Sequence, residues 1–197
     1  MRLGDLAGAE AAYRRADQSG SASGAYNLGV LLERHGDLEG AEAAWRRADE
    51  RDLADGASSL GVLLMRRGDL AGAEAAYRRA DQSGSASGAY NLGVLLERRD
   101  DFEGARAAYR RADERGSAGG AYNLGALLEQ RGDLEGAEAA WVRADQRGHA
   151  SGAYNLGVLL SRRGDFERAE AAYRRAVQSN DPDVAGRAVE ALKTLNG

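Results

Sequence analysis

A short motif that returns every 32 residues constrains the fold of this chain more than any other feature. The motif is Gly-Asp-Leu or a close variant, and successive copies are separated by neither insertions nor deletions. Its copies begin at Gly4, Gly36, Gly68, Asp100, Gly132 and Gly164. A fixed period of this size is typical of an array of one supersecondary unit, in which each copy packs on its neighbours and no single central core forms.

Each unit is predicted to contain two helices. The composition is rich in Ala, Leu, Glu and Arg, and the chain holds a single Pro, which favours helix. In the first half of a unit, small and apolar residues fall at i, i+3, i+4 and i+7, as in Ala25, Leu28, Gly29 and Leu32. The second half repeats this pattern from Leu38 onwards. The short turn between the halves predicts an antiparallel hairpin.

The predicted fold class is all-α, a right-handed α-solenoid of tandem antiparallel helix pairs that forms one repeat domain over residues 1–197. We call the two helices of a unit the first-type and the second-type helix. Second-type helices are predicted near 5–18, 37–50, 69–82, 101–114, 133–146 and 165–178. First-type helices are predicted near 22–34, 54–66, 86–98, 118–130 and 150–162.

The last segment, 182–195, is predicted to be a capping helix. Asp181 is a suitable N-cap and Pro182 suits the first helical position. Its predicted apolar stripe consists of Ala185, Ala188, Val189, Leu192 and Leu195.

Local signals predict how the helices begin, end and meet. Within a unit, Gly36 suits the left-handed residue that ends a helix, and an Asp follows as N-cap of the next one. Between units, Gly20 ends a helix and Ser21 caps the next. We expect Gly29 and Ala41 to meet where the two backbones of the hairpin come closest, and Glu42 to pair with Arg46. The Asp caps are Asp5, Asp37, Asp69, Asp133 and Asp165.

Charge and composition argue against several classes of function. The net charge is −4, with 31 acidic and 27 basic residues intermixed, so we expect no nucleic-acid partner, although Arg pairs such as Arg66-Arg67 are present. The chain has no Cys, which rules out disulfides and thiolate metal sites. No apolar run is long enough to cross a membrane, and the N-terminus has no apolar signal core. We therefore expect a cytoplasmic protein with no membrane partner.

No constellation of residues predicts catalysis. The two histidines, His35 and His149, occupy unrelated positions of the unit, and we expect both to be solvated. Carboxylates stand at turns as caps or beside Arg, and no spacing matches a metal site. We expect no enzyme activity and no cofactor.

The N-terminus begins with a second-type helix that has no first-type partner before it. Leu6, Ala9 and Tyr13 are then expected to be uncovered on one side. Three explanations remain open: a fragment of a longer protein, an end used for assembly, or an end covered in a way that the sequence hides.

The unit resembles the tetratricopeptide repeat. The resemblance rests on Tyr26-Asn27-Leu28-Gly29, the turn Gly36-Asp37-Leu38, and Ala41, Trp45 and Ala48, and it covers essentially the whole chain. That family's usual unit has about 34 residues, whereas this connection between units is shorter and lacks Pro. The connection 143–157 looks like that of the Sel-type relatives, so the unit combines a tetratricopeptide-type turn with a Sel-type connection.

The resemblance implies protein or peptide binding on a concave surface lined by first-type helices. One unit differs from the others, because Ser58 and Ser59 stand where they have Tyr and Asn. Either the binding face is interrupted there, or the sequence of this unit is drifting without functional consequence. The residues mapped to this face are Tyr26, Asn27, Val30, Glu33, Tyr90, Asn91, Val94, Glu97, Tyr122, Asn123, Glu129, Tyr154, Asn155 and Val158.

Two columns on this face are open to more than one interpretation. An Asn amide both donates and accepts hydrogen bonds, so the Asn column can hold an extended peptide backbone; the alternative is that each Asn satisfies a neighbouring helix or faces water. The Tyr column is interpreted as packing between repeats rather than as a ligand platform.

The leading hypothesis from sequence is therefore a protein-interaction scaffold that binds a peptide or protein segment. The alternative is a structural module that self-associates through its uncovered N-terminal helix.

Overall fold

The structure is a computed structural model that describes the backbone of residues 3–196 and the side chains of residues 7–195. The described chain is entirely helical, without strands, which confirms the predicted all-α solenoid class. The helices are α1 (Leu3–Gln18), α2 (Ala22–Arg34), α3 (Leu38–Glu50), α4 (Ala54–Arg66), α5 (Leu70–Gln82), α6 (Ala86–Glu97), α7 (Phe102–Glu114), α8 (Ala118–Gln130), α9 (Leu134–Gln146), α10 (Ala150–Arg162), α11 (Phe166–Val177) and α12 (Pro182–Asn196).

The helices fall into two compact units, the first ending at Asp101 and the second beginning at Phe102. In the first unit, α2 packs on α3 and α4 packs on α5, each pair being one helical hairpin. In the second unit, the hairpins are α8 with α9 and α10 with α11, and α12 packs on α11. Each core is built from the apolar stripes of these helices and includes Trp45 in the first unit and Trp141 and Tyr173 in the second.

The predicted turn chemistry is confirmed. Gly36 has a φ of +82°, in the left-handed region where glycine carries no steric penalty. The Asp37 carboxylate accepts a hydrogen bond of 2.8 Å from the backbone N–H of Gly40, and the Ser21 hydroxyl accepts one of 3.0 Å from Gly24. These caps satisfy amide groups that the first turn of a helix leaves unpaired. The predicted cap Asp5 and the side chain of Leu6 lie outside the described side chains.

Asp replaces Gly at two of the turns. Asp52 and Asp100 adopt φ of 59° and 60°, and Asp is one of the few non-glycine residues that tolerate this region.

The predicted partner of Gly29 is wrong. The space beside Gly29 is filled by Trp45, not by Ala41: a Cβ added to Gly29 would lie 2.5 Å from the indole ring. The aromatic ring, larger than Ala, is thus the side chain that requires glycine at this position. The same relation holds for Gly61 with Tyr77, Gly125 with Trp141 and Gly157 with Tyr173.

A second set of glycines lies where one hairpin packs on the next. A Cβ added to Gly24 would lie 2.6 Å from the Cβ of Ala16, so the two backbones approach closely there. The equivalent contacts join Gly56 to Ala48, Gly88 to Ala80, Gly120 to Ala112 and Gly152 to Ala144.

The capping helix α12 begins as predicted, and its stripe is confirmed at Ala188, Leu192 and Leu195 but not at Val189. The Asp181 carboxylate accepts hydrogen bonds from the backbone N–H groups of Asp183 and Val184. Val184, which the predicted stripe omits, is buried, whereas Val189 is 37% exposed. Val184 and Ala188 stand one helical turn apart, so the buried face runs through this pair and turns Val189 outwards.

Candidate functional site

The predicted binding residues lie on first-type helices, and we call their side-chain surface the first-helix face. In the first unit they lie on α2 and α6, and in the second unit on α8 and α10. All fourteen are partly exposed, neither fully buried nor fully solvated. Their neighbours Leu28 and Leu156 are buried, which fixes the rotation of these helices. The face therefore presents partly exposed side chains on helices whose apolar sides are buried.

The four Asn side chains on this face have no hydrogen-bond partner among the described residues. They are Asn27, Asn91, Asn123 and Asn155, and all four are half-buried. Within the described part of the chain, none of their amide groups forms a hydrogen bond with another residue. Each amide can therefore offer both a donor and an acceptor to a ligand.

Two of the Glu side chains on the face carry their own counterion. Glu33 on α2 accepts a hydrogen bond of 2.9 Å from Arg66 on α4, and Glu129 on α8 accepts one of 3.3 Å from Arg162 on α10. Each pair joins neighbouring first-type helices of the same unit. Because the charge is largely compensated, these two carboxylates offer little attraction to a cationic ligand.

The Tyr rings of the second unit are partly covered by their neighbours. Tyr122 is stacked on His149, with ring centroids 4.5 Å apart and planes 18° from parallel. The Arg187 guanidinium lies over Tyr154 at 4.1 Å from the ring centroid. Tyr154 also contacts the ring of Tyr173, at 5.7 Å.

The expectation that His149 is solvated is wrong. Its Nδ1 accepts a hydrogen bond of 3.2 Å from the backbone N–H of Gly152, so it is the N-cap of α10. Burial of the ring lowers its pKa below the ordinary value of 6.5. In sequence, His149 aligns with the cap Ser117 one period earlier, and this alignment is the signal that could have identified its role.

A cavity of about 290 Å³ opens in the first unit, where Ser58 and Ser59 interrupt the Tyr and Asn columns. It lies among α2, α4 and α6, and the indole of Trp45 on α3 also lines it. The cavity brings together three of the predicted residues, Tyr26, Glu33 and Asn91. The remaining lining residues are Asp55, Val62, Arg66 and Ser87.

A recurrent Asp–Arg ladder on the second-type helices was not predicted. An Asp near the end of one second-type helix accepts hydrogen bonds from an Arg 30 residues later, with 2.8–2.9 Å between Nε and Oδ2. The signal was present in the sequence, because both residues recur with the repeat period. The pairs are Asp17–Arg47, Asp49–Arg79, Asp113–Arg143 and Asp145–Arg175.

The described residues offer no group of three or more metal-binding side chains. None of the described helices is long and apolar enough to span a bilayer.

Sequence comparison identifies one family. The family model of the tetratricopeptide repeat matches four overlapping segments, 26–88, 60–121, 90–151 and 122–185. No curated protein matches this sequence.

Solved structures with the same fold include both tetratricopeptide and Sel-type repeat proteins. A protective antigen of uropathogenic Escherichia coli, c5321, which displays an SLR fold, superposes with a TM-score of 0.80 at 19% identity over 95% of this chain and 44% of its own. A Sel1 repeat protein from Oxalobacter formigenes gives 0.73 at 19% identity, over 84% of this chain and 76% of its own. YrrB, a TPR protein with an unusual peptide-binding site, gives 0.60 at 23% identity, over 91% of this chain and 98% of its own.

These similarities establish the fold. The chain spans less than half the length of the Escherichia coli antigen. The neighbours of both kinds agree with a unit that joins a tetratricopeptide-type turn to a Sel-type connection.

Proposed function

Because this chain belongs to the tetratricopeptide repeat family, we propose that it is a protein-interaction scaffold that binds an extended peptide or protein segment on its first-helix face. The observation that carries this proposal is the set of four half-buried Asn amides without hydrogen bonds to other described residues. Within each unit, these amides can hold a bound backbone, with its alternating N–H and C=O groups, whatever side chains it carries.

The similarity to YrrB supports the proposal, since that protein has a peptide-binding site on the same fold. The anchoring of the four helices that carry the predicted residues, α2, α6, α8 and α10, supports it further. They are held by Ser or His caps and by buried Leu side chains, so little conformational freedom is lost when a ligand binds.

The test begins with selection of a binding peptide from a random displayed library, followed by measurement of its Kd by calorimetry. Asn91→Ala and Asn123→Ala should each weaken binding by about 3- to 10-fold, the effect of one hydrogen bond. Gln82→Ala, an exposed amide on a second-type helix, is the matched control and should leave the Kd unchanged. Unchanged affinity in both Asn variants would remove the Asn column from the mechanism.

A second candidate function is self-association through α1. Tyr13 on this helix is only half-buried, whereas its counterparts Trp45 and Tyr77 are fully buried. A second copy of the chain could cover this apolar surface by packing against it. Measurement of the mass in solution across a concentration series tests this candidate: a concentration-dependent dimer that Tyr13→Arg dissociates supports it, and a strict monomer at high concentration excludes it.

A further inference from the structure

A recurrent Glu on the second-type helices holds two Arg side chains at once. On α3, Glu42 accepts a hydrogen bond of 2.6 Å from Arg46, one turn along the same helix, and another from Arg67, which follows α4. The same arrangement joins Glu74 to Arg78 and Arg99, and Glu138 to Arg163 and Arg168. This position of the repeat is therefore a site for one carboxylate between guanidinium groups.

Helix α7 reverses the charge at this position. Arg106 stands where the other copies have Glu, and its guanidinium turns to Glu103, at 2.7 Å. Arg110 and Arg131 occupy the positions of the two Arg partners of Glu42. Within the described chain, neither of them has a carboxylate partner. We call Arg106, Arg110 and Arg131 the arginine cluster; with Glu103 it carries a net charge of +2, whereas the equivalent four residues around Glu42 are neutral.

The two guanidinium groups without a carboxylate remain able to bind one. Arg131 lies over the ring of Phe102, at 5.0 Å from the centroid, which holds one flat side of its guanidinium. The N–H groups at the edge of a guanidinium stay free in such a contact. Arg110 is exposed, and among the described residues Glu114, one turn further along α7, forms no ion pair with it.

A groove beside the cluster has room for a polypeptide segment. It lies between α7 and α9 and has a volume of about 440 Å³, within the range of about 300–1,000 Å³ typical of ligand sites. Arg106 and Arg110 belong to its lining. Leu124 and Leu128 of α8 line it as well and give it apolar surface for neighbouring side chains or backbone of a ligand.

The other charges in this groove limit how negative a ligand can be. The Asp113 carboxylate is compensated by Arg143 and Arg147. Glu114 and Asp133 add two further carboxylates to the lining. A chain with a negative charge on every residue is repelled by them, whereas a single carboxylate at the arginine cluster is not.

From these observations we propose that the arginine cluster is a docking site for a protein segment that presents a single Asp or Glu side chain. The carboxylate of the partner takes the place of the Glu that α7 lacks and accepts hydrogen bonds from Arg110 and Arg131. The rest of the segment lies in the groove between α7 and α9. The second-type helices form this surface, so it is an interaction site additional to the first-helix face.

The test uses two displayed peptide libraries with identical random flanks, one with a fixed central Glu and the other with a fixed central Gln. Both are selected on the full chain, and clones that also bind the Arg106→Glu variant are removed. This variant introduces the residue that other copies carry and supplies the carboxylate internally. Only the Glu library should yield binders. Exchange of Glu for Gln in a selected peptide should weaken its Kd by about 10- to 100-fold, because charge-assisted hydrogen bonds are lost.

Equivalent positions of two repeats provide the matched control. Arg110→Ala should weaken the selected peptide by about 10-fold or more. Arg174 occupies the same position of its unit but is paired with Glu170, so Arg174→Ala should leave the Kd unchanged. Circular dichroism checks the fold of each variant. If Arg106→Glu does not fold, Arg110→Ala serves for the counter-selection and Arg131→Ala for the measurement.

Several results would overturn the inference. These are a Glu library without binders, an equal yield from the Gln library, and equal losses in Arg110→Ala and Arg174→Ala. Tighter binding when phosphoserine replaces the Glu, or displacement of the peptide by a single-stranded DNA oligonucleotide, would assign the cluster to phosphate and contradict a carboxylate partner.

The two proposed surfaces can be tested separately. Asn123→Ala on the first-helix face should leave the Kd of the Glu peptide unchanged, and Arg110→Ala should leave that of a peptide bound to the first-helix face unchanged. Failure of the scaffold proposal then leaves the arginine cluster standing, and the reverse holds too. Loss of the Glu peptide in Asn123→Ala would show that both peptides share one site, which overturns the additional surface.

Discussion

Glycine has two distinct roles within helices of the second unit. At Gly157, a Cβ would lie 2.6 Å from the ring of Tyr173, so the absence of a side chain is required for packing. At Gly186 in α12, no heavy atom lies within 4 Å of an added Cβ, and the residue is exposed. Glycine at this second position contributes only backbone freedom, which disfavours the helix.

Substitution by Ala should therefore change the free energy of unfolding in opposite directions at the two positions. Gly157→Ala should lower the free energy of unfolding by about 1–3 kcal/mol through overpacking. Gly186→Ala should raise it by about 0.5–1 kcal/mol through helix propensity. Urea denaturation followed by circular dichroism measures both. A destabilised Gly186→Ala or a stabilised Gly157→Ala would contradict this division of roles.

His149 connects the stability of the second unit to pH. It caps α10 through an unprotonated Nδ1, and burial lowers its pKa in the folded chain below 6.5. The unfolded chain therefore binds more protons in the window between the lowered pKa and 6.5, so stability rises with pH across that window. The contribution is fully present above about pH 6.5 and is lost as the pH falls through the lowered pKa.

His149→Ser should remove this pH dependence. Ser is the cap at the equivalent position Ser117, so the variant should match the parent within about 0.5 kcal/mol at pH 8. Melting temperatures measured between pH 8 and pH 5 should fall more steeply for the parent than for the variant. Parallel curves would show that His149 titrates equally in the folded and unfolded chains.

At the scale of helices, the Asp–Arg ladder joins successive second-type helices. Asp113 on α7 is 3% exposed and accepts hydrogen bonds from Arg143 of α9 and from Arg147, the C-cap residue of that helix. In the first unit, burial by itself would raise the pKa of Asp17, but hydrogen bonds and charge from Arg47 and Arg51 outweigh it and hold this pKa below its ordinary value. The contribution of Asp17 to stability is accordingly present above about pH 4 and lost as the pH falls through the lowered pKa.

Removal of one ladder carboxylate should cost far more than removal of a surface one. Asp113→Ala should lower the free energy of unfolding by about 1–3 kcal/mol, because it leaves two Arg side chains without their buried acceptor. Glu170→Ala breaks an exposed i, i+4 pair with Arg174 and should change the free energy of unfolding by less than about 0.5 kcal/mol. Thermal or urea denaturation of both variants measures these changes in the free energy of unfolding. Equal changes would show that the ladder stabilises the fold no more than a surface ion pair does.

Along the whole chain, the same polar group recurs with the repeat period except where Ser59 replaces it. Asn123 and Asn155 occupy equivalent positions of neighbouring repeats on α8 and α10, and they share no hydrogen-bond partner within the described chain. Independent sites of this kind contribute additively to the free energy of binding a ligand.

The double variant Asn123→Ala/Asn155→Ala should therefore weaken binding of the selected peptide by the product of the two single effects, about 10- to 100-fold. Calorimetry measures the Kd of the parent, the two single variants and the double variant, which together form a double-mutant cycle. A double variant that binds as well as one of the singles would show that the ligand contacts only one of these repeats.

Much of this architecture could be predicted from sequence because its determinants lie close together along the chain. The period, the Asp37 and Ser21 caps and the left-handed Gly36 are each visible within a few residues. The features that were missed depend on residues about 30 positions apart, as in the Asp17–Arg47 pair and the stacking of His149 on Tyr122. For the candidate site, the sequence predicted a column with a gap, but the cavity and the unsatisfied indole of Trp45 arise from side-chain placement.

The contact between Gly24 and Ala16 has a consequence for how such a chain can change length. Every described junction of this kind uses the same two residue types, with 2.5–2.7 Å between the Ala Cβ and a Cβ added to the Gly. Any copy therefore presents a surface that fits any other copy, and a 32-residue cassette can be gained, lost or exchanged without a new interface. The segments 4–34 and 68–98 are identical in sequence, as duplication of such cassettes would make them. Deleting one whole cassette should thus preserve folding, whereas deleting half of one would leave a Gly without its Ala.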